Sequence, residues 1–178
     1  VWRRWRPSAG LELHKLQVSL LNRAIDVLQP GGTVVYSTCS IDPVENEAVI
    51  ARILEDRDDI ESIEFEPTKT PGLNYQSGME DWDVFDDNMN IITGSHGDPS
   101  HDPEIRNAIR KCVRLIHQDT GHGGFFFAIL RKHPDTNLEI RPDANQIPPN
   151  PKRKGLHPSP VCEKTLKIIQ TDHDPIIS

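Results

Sequence analysis

The sequence predicts an α/β domain whose sheet is mostly parallel and ends in an antiparallel pair of strands. Apolar residues recur at three- and four-residue steps over residues 11–28, which is typical of an amphipathic helix. The short apolar run 33–36 is rich in β-branched residues and predicts a strand buried on both faces. A second helical pattern begins at Pro43, so helix, strand, loop and helix follow in close succession. That order is typical of α/β units with parallel strands.

The first helix is predicted to end at residues 30–32, where a proline and two glycines follow one another. Glycine readily takes the left-handed conformation that ends many helices. We expect the buried face of this helix to consist of its regularly spaced apolar residues, Leu13, Leu16, Leu20, Ala24 and Leu28.

The second helix begins with residues that have the form of a capping box. Asp42 is expected at the N-cap, Pro43 at the first helical position, and Glu45 with its side chain reaching back to the cap. The helix is predicted to continue to about residue 54. Its expected buried residues are Val49, Ile50, Ile53 and Leu54.

Beyond the second helix the hydrophobic pattern is weaker. Residues 63–66 alternate between apolar and charged, which predicts a strand towards the edge of the sheet. Residues 67–104 are rich in Gly, Pro, Asp and His and are expected to form a long surface insertion. Apolar residues return over 109–116, which predicts a further strand. The continuous apolar run 125–130 predicts a buried strand.

A change of composition divides the chain near residue 134. Eight of the fifteen prolines lie at or after Pro134, and charged and polar residues dominate there. Such segments bury too little apolar surface to offset the entropy lost on folding. We therefore expect a folded domain over residues 1–133 and a linker or disordered tail over residues 134–178.

Charge and cysteine content restrict the function classes. The net charge is −7, so any contact with nucleic acid must come from local basic patches. The three cysteines are widely spaced and include no CxxC pair, which argues against a disulfide framework and a zinc knuckle. No apolar run approaches the roughly 20 residues that span a bilayer. No N-terminal segment has the pattern of a signal peptide, so we expect an intracellular protein that is not membrane-bound.

Cys39 is the strongest candidate for chemistry. It follows the predicted strand 33–36 and precedes the start of a helix. In open α/β sheets ligands bind beyond the carboxyl ends of the strands, and helix N-termini favour the thiolate form of a nearby cysteine. The negative charge of Asp42 opposes that effect. The alternative is that Cys39 is a small buried residue without a chemical role.

Several motifs resemble the Sun-domain family of RNA cytosine-5 methyltransferases. The run Val35-Tyr36-Ser37-Thr38-Cys39-Ser40, followed by Pro43, Glu45 and Glu47, is similar to the nucleophile motif of that family. The chain also carries matches to its Pro-Gly-Gly segment, its preceding helix, its last strand and its Trp-basic-basic-Trp segment. These matches are residues 30–32, 14–17, 123–130 and 2–5. Pro71-Gly72-Leu73 and Trp82 resemble the eukaryotic subgroup that acts on transfer RNA.

The resemblance implies a Rossmann-like domain that uses S-adenosylmethionine and methylates cytosine in RNA, with transfer RNA as the expected substrate. It implies that Cys39 is the nucleophile that adds to the base, and that Thr38 and Ser40 support its loop. The family's Gly-rich cofactor loop and its Pro-Cys loop, whose Asp assists the base and whose Cys helps to release product, have no counterpart in this chain. In the family's order both precede Val1. We therefore expect the cofactor site to lie mostly upstream and the chain alone to be inactive.

Two further features depart from the family pattern. Neither Cys112 nor Cys162 follows a proline, so neither is assigned as the family's second cysteine. Ile116 stands where the family's Arg-x-x-Pro-His motif has proline.

Two basic patches are candidates for RNA contact. Arg3, Arg4 and Arg6 are interleaved with tryptophans, a composition suited to phosphate contact and base stacking. Arg114 lies in a second basic segment, residues 106–114. The alternative for both is that tryptophans pack on the sheet and arginines are solvated.

Other interpretations remain open beside this one. The chain is alternatively a non-catalytic RNA-binding or scaffold fragment, or a Cys/His hydrolase if His14 or His117 reaches Cys39. The His- and Asp-containing segment 96–102 lacks the helix or knuckle of a metal site, so no metal is expected. The basic run 151–154 resembles a nuclear import signal. Nucleus or nucleolus is therefore the expected location, with cytoplasm as the alternative.

Overall fold

A computed structural model describes residues 6–121 and 123–134 of the chain. The chain divides into two units, Val1–Arg141 and Pro142–Ser178, and all of the described residues belong to the first. The predicted linker or tail therefore lies outside the described residues, apart from Pro134.

The described part contains the predicted helices and strands in their predicted order, together with two short helices and a short strand that the sequence pattern did not predict. The strand predicted at residues 63–66 lies at Ile60–Ile63, so that prediction is wrong except at Ile63. The helices are α1 (Ala9–Asp26), α2 (Glu47–Asp56), α3 (Pro103–Ile109) and α4 (His117–Thr120). The strands are β1 (Thr33–Thr38), β2 (Ile60–Ile63), β3 (Gln76–Ser77), β4 (Val113–Leu115) and β5 (Phe125–Lys132). Two short 3₁₀ turns lie at Pro43–Glu45 and Pro67–Lys69. The α/β fold class is confirmed.

The sheet is organised around β5. Strand β1 pairs with one side of β5, and β4 and β2 pair with successive stretches of its other side. Ile129 lies opposite Val35 on one side and Ile63 on the other. Strand β3 extends the sheet beyond β4.

The prediction of a mostly parallel sheet is wrong for the described strands, because every pair among them is antiparallel. Strands β1 and β2 run in the same direction, but β5 lies between them and runs against both. The apolar pattern identifies β1 as a strand but carries no information on which strand becomes its neighbour.

The core lies between the sheet and the helices α1 and α2. Its central residues are contributed by both helices and by the buried face of β5. Phe126 packs edge to face with Tyr36 of β1 at 6.3 Å between ring centroids. The buried residues of this cluster are Leu21, Ile25, Val49, Ile50, Ile53, Ile60, Cys112, Phe126, Ala128 and Leu130.

The predicted buried face of α1 is partly wrong. Leu13, Leu16 and Leu20 are 45%, 56% and 59% exposed. The helix carries two apolar stripes, and the one that packs inward contains Gly10, His14, Leu21 and Ile25. Strand β1 also departs from the prediction of burial on both faces, because its residues alternate between exposed and half-buried. Periodicity detects an apolar stripe, but it does not choose between two stripes on one helix.

The capping-box prediction is confirmed in its first half. Asp42 Oδ1 accepts a hydrogen bond from the Val44 amide at 2.9 Å, and Pro43 occupies the first position of the turn. The segment that follows is a 3₁₀ turn, and α2 begins separately at Glu47. The Glu45 side chain does not return to Asp42. It contacts Ser40 and Gln17 instead.

The insertion 67–104 contains more structure than predicted. Strand β3 and an antiparallel bridge between Phe85 and Ile91 lie within it. It also ends differently, because α3 begins at Pro103 with Asp102 as its N-cap. No helix among the described residues is long and apolar enough to cross a membrane.

Candidate active site

Cys39 directly follows the last residue of β1, and its side chain is exposed. The thiol therefore lies at the carboxyl end of a strand, open to solvent, rather than in the core. Cys112 is the opposite case. It is 1% exposed, and burial raises the pKa of its thiol, so Cys112 is protonated at neutral pH and packs as a small apolar residue. Cys162 lies outside the described residues.

The residues on either side of Cys39 are held by one buried amide. The Thr38 hydroxyl donates to Asn46 Oδ1 at 2.6 Å, and Asn46 Nδ2 donates to the Ser40 carbonyl at 3.0 Å. The Ser40 amide also donates back to Thr38 Oγ1 at 3.2 Å. Thr38 and Ser40, predicted as supports of the loop, thus use their polar groups inside it.

A second set of bonds holds the rest of the loop. The Ser40 hydroxyl donates to Glu45 Oε1 at 2.9 Å and accepts from the Asp42 amide at 3.1 Å. Gln17 of α1 donates to the other carboxylate oxygen of Glu45 at 3.0 Å. The Tyr36 hydroxyl donates to the Glu45 carbonyl at 2.6 Å, and burial raises the pKa of Tyr36. The loop is therefore tied to both α1 and β1.

Arg114 anchors the same loop from β4. Its Nε and Nη2 donate to the two carboxylate oxygens of Glu47, each at 2.5 Å, and its Nη1 donates to the Ile41 carbonyl at 2.9 Å. The side chains are 5% and 0% exposed, and Glu47 also accepts from the Met79 amide. Arg114 is thus buried, and its guanidinium is held by acceptors inside the protein. This burial counts against the prediction that Arg114 contacts RNA.

The first basic patch falls mostly outside the described residues. Arg3 and Arg4 lie outside them, and so does any contact that they make. Arg6 is exposed and lies 2.5 Å from Glu12 and 3.6 Å from Asp87. Ion pairs this exposed are weak and exchange readily, so Arg6 is accessible to a phosphate.

His14 is buried and bonds to the turn that follows the Cys39 loop. Its Nδ1 donates to the Val44 carbonyl at 2.8 Å, and its Nε2 has no hydrogen-bond partner among the described residues. Burial lowers the pKa of His14, so the ring is neutral at physiological pH. His14 makes no hydrogen bond to Cys39, which counts against a Cys/His hydrolase that uses this histidine.

Asn46 is the site residue that sequence reasoning missed. The predicted helix begins at Pro43 and therefore places Asn46 inside it, although asparagine is a residue type that favours the N-cap position. Asn46 does occupy the N-cap position of α2, but its side chain makes no capping bond. Glu47 was noted only as part of a motif, because no local pattern reveals a partner 67 positions away.

The acidic residues near β1 accept hydrogen bonds from neighbouring groups of the protein. Asp42 accepts from the Val44 amide, Glu45 from Ser40 and Glu47 from Arg114. These contacts give the three carboxylates a structural role in the Cys39 loop. Residues 6–121 and 123–134 contain no group of three or more His, Cys, Asp or Glu side chains arranged to bind a metal ion.

Comparison with known proteins identifies the class to which this α/β domain belongs. Residues 2–131 match the family model described as 16S rRNA methyltransferase RsmB/F. The matched segment includes the whole loop around Cys39 and the five described strands apart from Lys132, the last residue of β5. The domain is thus of the methyltransferase class. More particularly, the chain belongs to the RsmB/F family, the Sun-domain family that its motifs resemble.

The similar curated proteins include several that act on transfer RNA. The chain is 36% identical over 143 residues to the multisite-specific tRNA:(cytosine-C(5))-methyltransferase of Saccharomyces cerevisiae. It is 31% identical over 154 residues to the tRNA (cytosine(34)-C(5))-methyltransferase of Drosophila melanogaster. These alignments cover 76% and 78% of this chain but only 21% of each relative. The chain therefore spans about a fifth of the length of the relatives it matches.

Proposed function

We propose that the chain contributes the nucleophile of an enzyme that methylates carbon 5 of cytosine in RNA, with transfer RNA as the substrate. The observation that carries this proposal is the exposed Cys39, held at the carboxyl end of β1 by a loop that is braced from both sides. The family match supports the reaction class, and the names of the relatives support the choice of cytosine in transfer RNA.

The chemistry follows from the weakness of cytosine carbon 5 as a nucleophile. The Cys39 thiolate adds to carbon 6 and forms a sulfur–carbon bond, which places electron density on carbon 5. S-adenosylmethionine, when bound, would supply the methyl group to that carbon and would leave as S-adenosylhomocysteine. Transfer of the proton from carbon 5 to a general base then releases the electron pair that breaks the sulfur–carbon bond, which restores the aromatic ring and the Cys39 thiolate. Covalent catalysis of this kind divides one high barrier into two lower ones.

Cys39 is suited to this role by its exposure. A base in folded RNA must leave its stack to meet a protein nucleophile. The thiol therefore has to lie where an extruded base can reach it, as an exposed strand-end residue does. Cys112 fails this requirement, because its thiol is buried and its pKa is raised by that burial.

An exposed apolar face supports a larger catalytic unit. We define this face as Leu13, Leu16 and Leu20 of α1, Val27 directly after α1, and Val35 of β1, each at least 45% exposed. Among the described strands, β1 pairs with β5 on one side only. An apolar surface next to a free strand edge is costly in water and is prone to further pairing. We propose that further strands pack there, contributed by the segment that precedes this region in the relatives, and that they bring the cofactor loop.

RNA contact and location complete the proposal. Arg3, Arg4 and Arg6 are the candidates for phosphate contact, and Arg114 is withdrawn because it is buried.

We propose a nuclear or nucleolar location on the basis of residues 151–154, with cytoplasm as the alternative. The location is tested with a fluorescent fusion of the protein. Its distribution in the cell is compared with that of a variant in which the three basic residues of this run are replaced by alanine.

The reaction is tested in the full-length protein encoded by the gene. Unmodified transfer RNA is incubated with S-adenosylmethionine carrying a labelled methyl group, and the nucleosides are separated after digestion. We expect label in 5-methylcytidine with wild-type protein and none with Cys39→Ala. Cys112→Ala is the matched control and should keep the activity, apart from a loss of stability. Label in another nucleoside, or undiminished labelling with Cys39→Ala, would contradict the proposal.

A further inference from the structure

The amide of Asn46 forms a bridge between the two residues that flank the nucleophile. It accepts from the Thr38 hydroxyl and donates to the Ser40 carbonyl, at 2.6 and 3.0 Å. Cys39 is the only residue between these two partners in the chain. The bridge therefore restricts the backbone on both sides of the thiol without touching the sulfur.

The position of Asn46 gives this bridge a rigid base. Asn46 is 0% exposed and is the N-cap of α2. Its carbonyl accepts from the Val49 and Ile50 amides at 3.1 and 3.3 Å. Val49 and Ile50 are themselves fully buried in the core. Movement of the amide would thus require movement of the start of α2.

The Asn46 side chain does not make the hydrogen bond that an N-cap side chain usually makes. Asparagine at an N-cap normally accepts from an amide in the first turn of the helix. Asn46 makes no such bond, although it occupies the N-cap. Its acceptor and its donor are both used on the Cys39 loop instead. Asparagine fits this task because its amide offers one acceptor and two donors, whereas aspartate offers only acceptors when it is ionised.

We propose that Asn46 is a positioning residue for the Cys39 thiol, acting through Thr38 and Ser40; the reaction that this serves is the one proposed above. A nucleophile on an unrestrained surface loop samples many orientations, and only a few of them allow attack on the base. Hydrogen bonds that fix the loop before the substrate binds reduce the entropy that must be lost in the reaction step. Asn46 therefore affects the rate of attack rather than the affinity for RNA.

Four variants of the full-length protein test this role. Asn46→Asp keeps the acceptor for Thr38 but replaces the donor to Ser40. Thr38→Val keeps the shape of the side chain without its hydroxyl, and Thr38→Ser keeps the hydroxyl. Asp26→Asn is the matched control, because it weakens a partly buried ion pair with Arg57 without touching the Cys39 loop.

The first readout is the single-turnover rate at which each variant forms a covalent adduct with RNA that contains 5-azacytosine. We expect Asn46→Asp and Thr38→Val to react about 10- to 100-fold more slowly, with the dissociation constant for RNA changed by less than about twofold. Thr38→Ser and Asp26→Asn should react at close to the wild-type rate. The double variant Thr38→Val/Asn46→Asp should be no slower than the slower single variant, because both changes break one bridge.

The second readout is hydrogen exchange at the amides of residues 39–41, which requires no catalysis. Exchange should be faster in Asn46→Asp and Thr38→Val than in wild type and unchanged in Asp26→Asn. If the wild-type protein forms the adduct and Asn46→Asp and Thr38→Val form it equally fast, the positioning role is overturned. If the wild-type protein forms no adduct but hydrogen exchange is faster in Asn46→Asp and Thr38→Val, the proposed function is overturned. The structural role of Asn46 in holding the loop then still stands.

Discussion

Replacing Arg114 with Met should strongly destabilise the fold, because it leaves a buried carboxylate without its partner. Glu47 is 0% exposed and would keep only the Met79 amide as a donor, while the Ile41 carbonyl would lose the guanidinium. Removal of one member of a buried ion pair costs about 3–5 kcal/mol. With a urea slope of about 2 kcal/mol/M, the midpoint of unfolding should fall by about 2 M.

The matched control for this variant is Arg110→Met. Arg110 makes the same two-bond contact with Glu80, at 2.6 and 2.9 Å, but its side chain is 60% exposed. Ion pairs this exposed contribute little to stability, so the midpoint of unfolding should move little in this variant. Replacing both Glu47 and Arg114 by apolar residues should recover part of the loss. Equal midpoints for Arg114→Met and Arg110→Met, or a loss of RNA affinity without a loss of stability, would refute the structural role of Arg114.

Three other changes test the packing and the pH response of the fold. His14→Asn should reduce the fall in the free energy of unfolding that occurs in mild acid. Burial lowers the pKa of His14, so only the unfolded ring takes up a proton as pH falls below about 6.5. Urea titrations at several pH values measure this dependence. Asp59→Asn should weaken the acid dependence below about pH 4, because a hydrogen bond from Arg57 lowers the pKa of Asp59, and its contribution is present above the unfolded pKa and lost through the folded one; acid unfolding followed by circular dichroism checks it. Phe126→Ala should cost about 3–5 kcal/mol in thermal or urea unfolding, since Phe126 is 1% exposed at the centre of the core.

Local patterns in the sequence predicted the elements of the fold well. Strands at 33–36 and 125–130 and helices near 11–28 and 43–54 are found at β1, β5, α1 and α2 with shifts of a few residues. These elements are recoverable because turn residues and apolar spacing act over short distances. Strand direction depends on which strand docks beside which, and β5 lies about 90 positions from β1. The antiparallel order was therefore not readable from the pattern.

The residues of the candidate site were likewise predictable only where the signal is local in the sequence. Cys39 could be singled out as a candidate because a strand end followed by a helix start is a local feature, and the family resemblance implies the role of nucleophile that we propose for it. The partners that hold its loop were not identifiable. Arg114 looked like part of a basic patch, yet its charge is neutralised by Glu47, 67 positions earlier in the chain. Asn46 fell inside the predicted helix, yet it occupies the N-cap of α2 and its side chain binds the Cys39 loop.

The most direct measurement asks whether the sulfur of Cys39 becomes bonded to the base. Full-length protein is incubated with S-adenosylmethionine and RNA in which 5-azacytosine replaces cytosine, and the denatured adduct is digested and mapped by mass spectrometry. The account predicts a single cross-linked peptide that contains Cys39, and no adduct in Cys39→Ala. An adduct on another cysteine, or methylated product from Cys39→Ala, would contradict it.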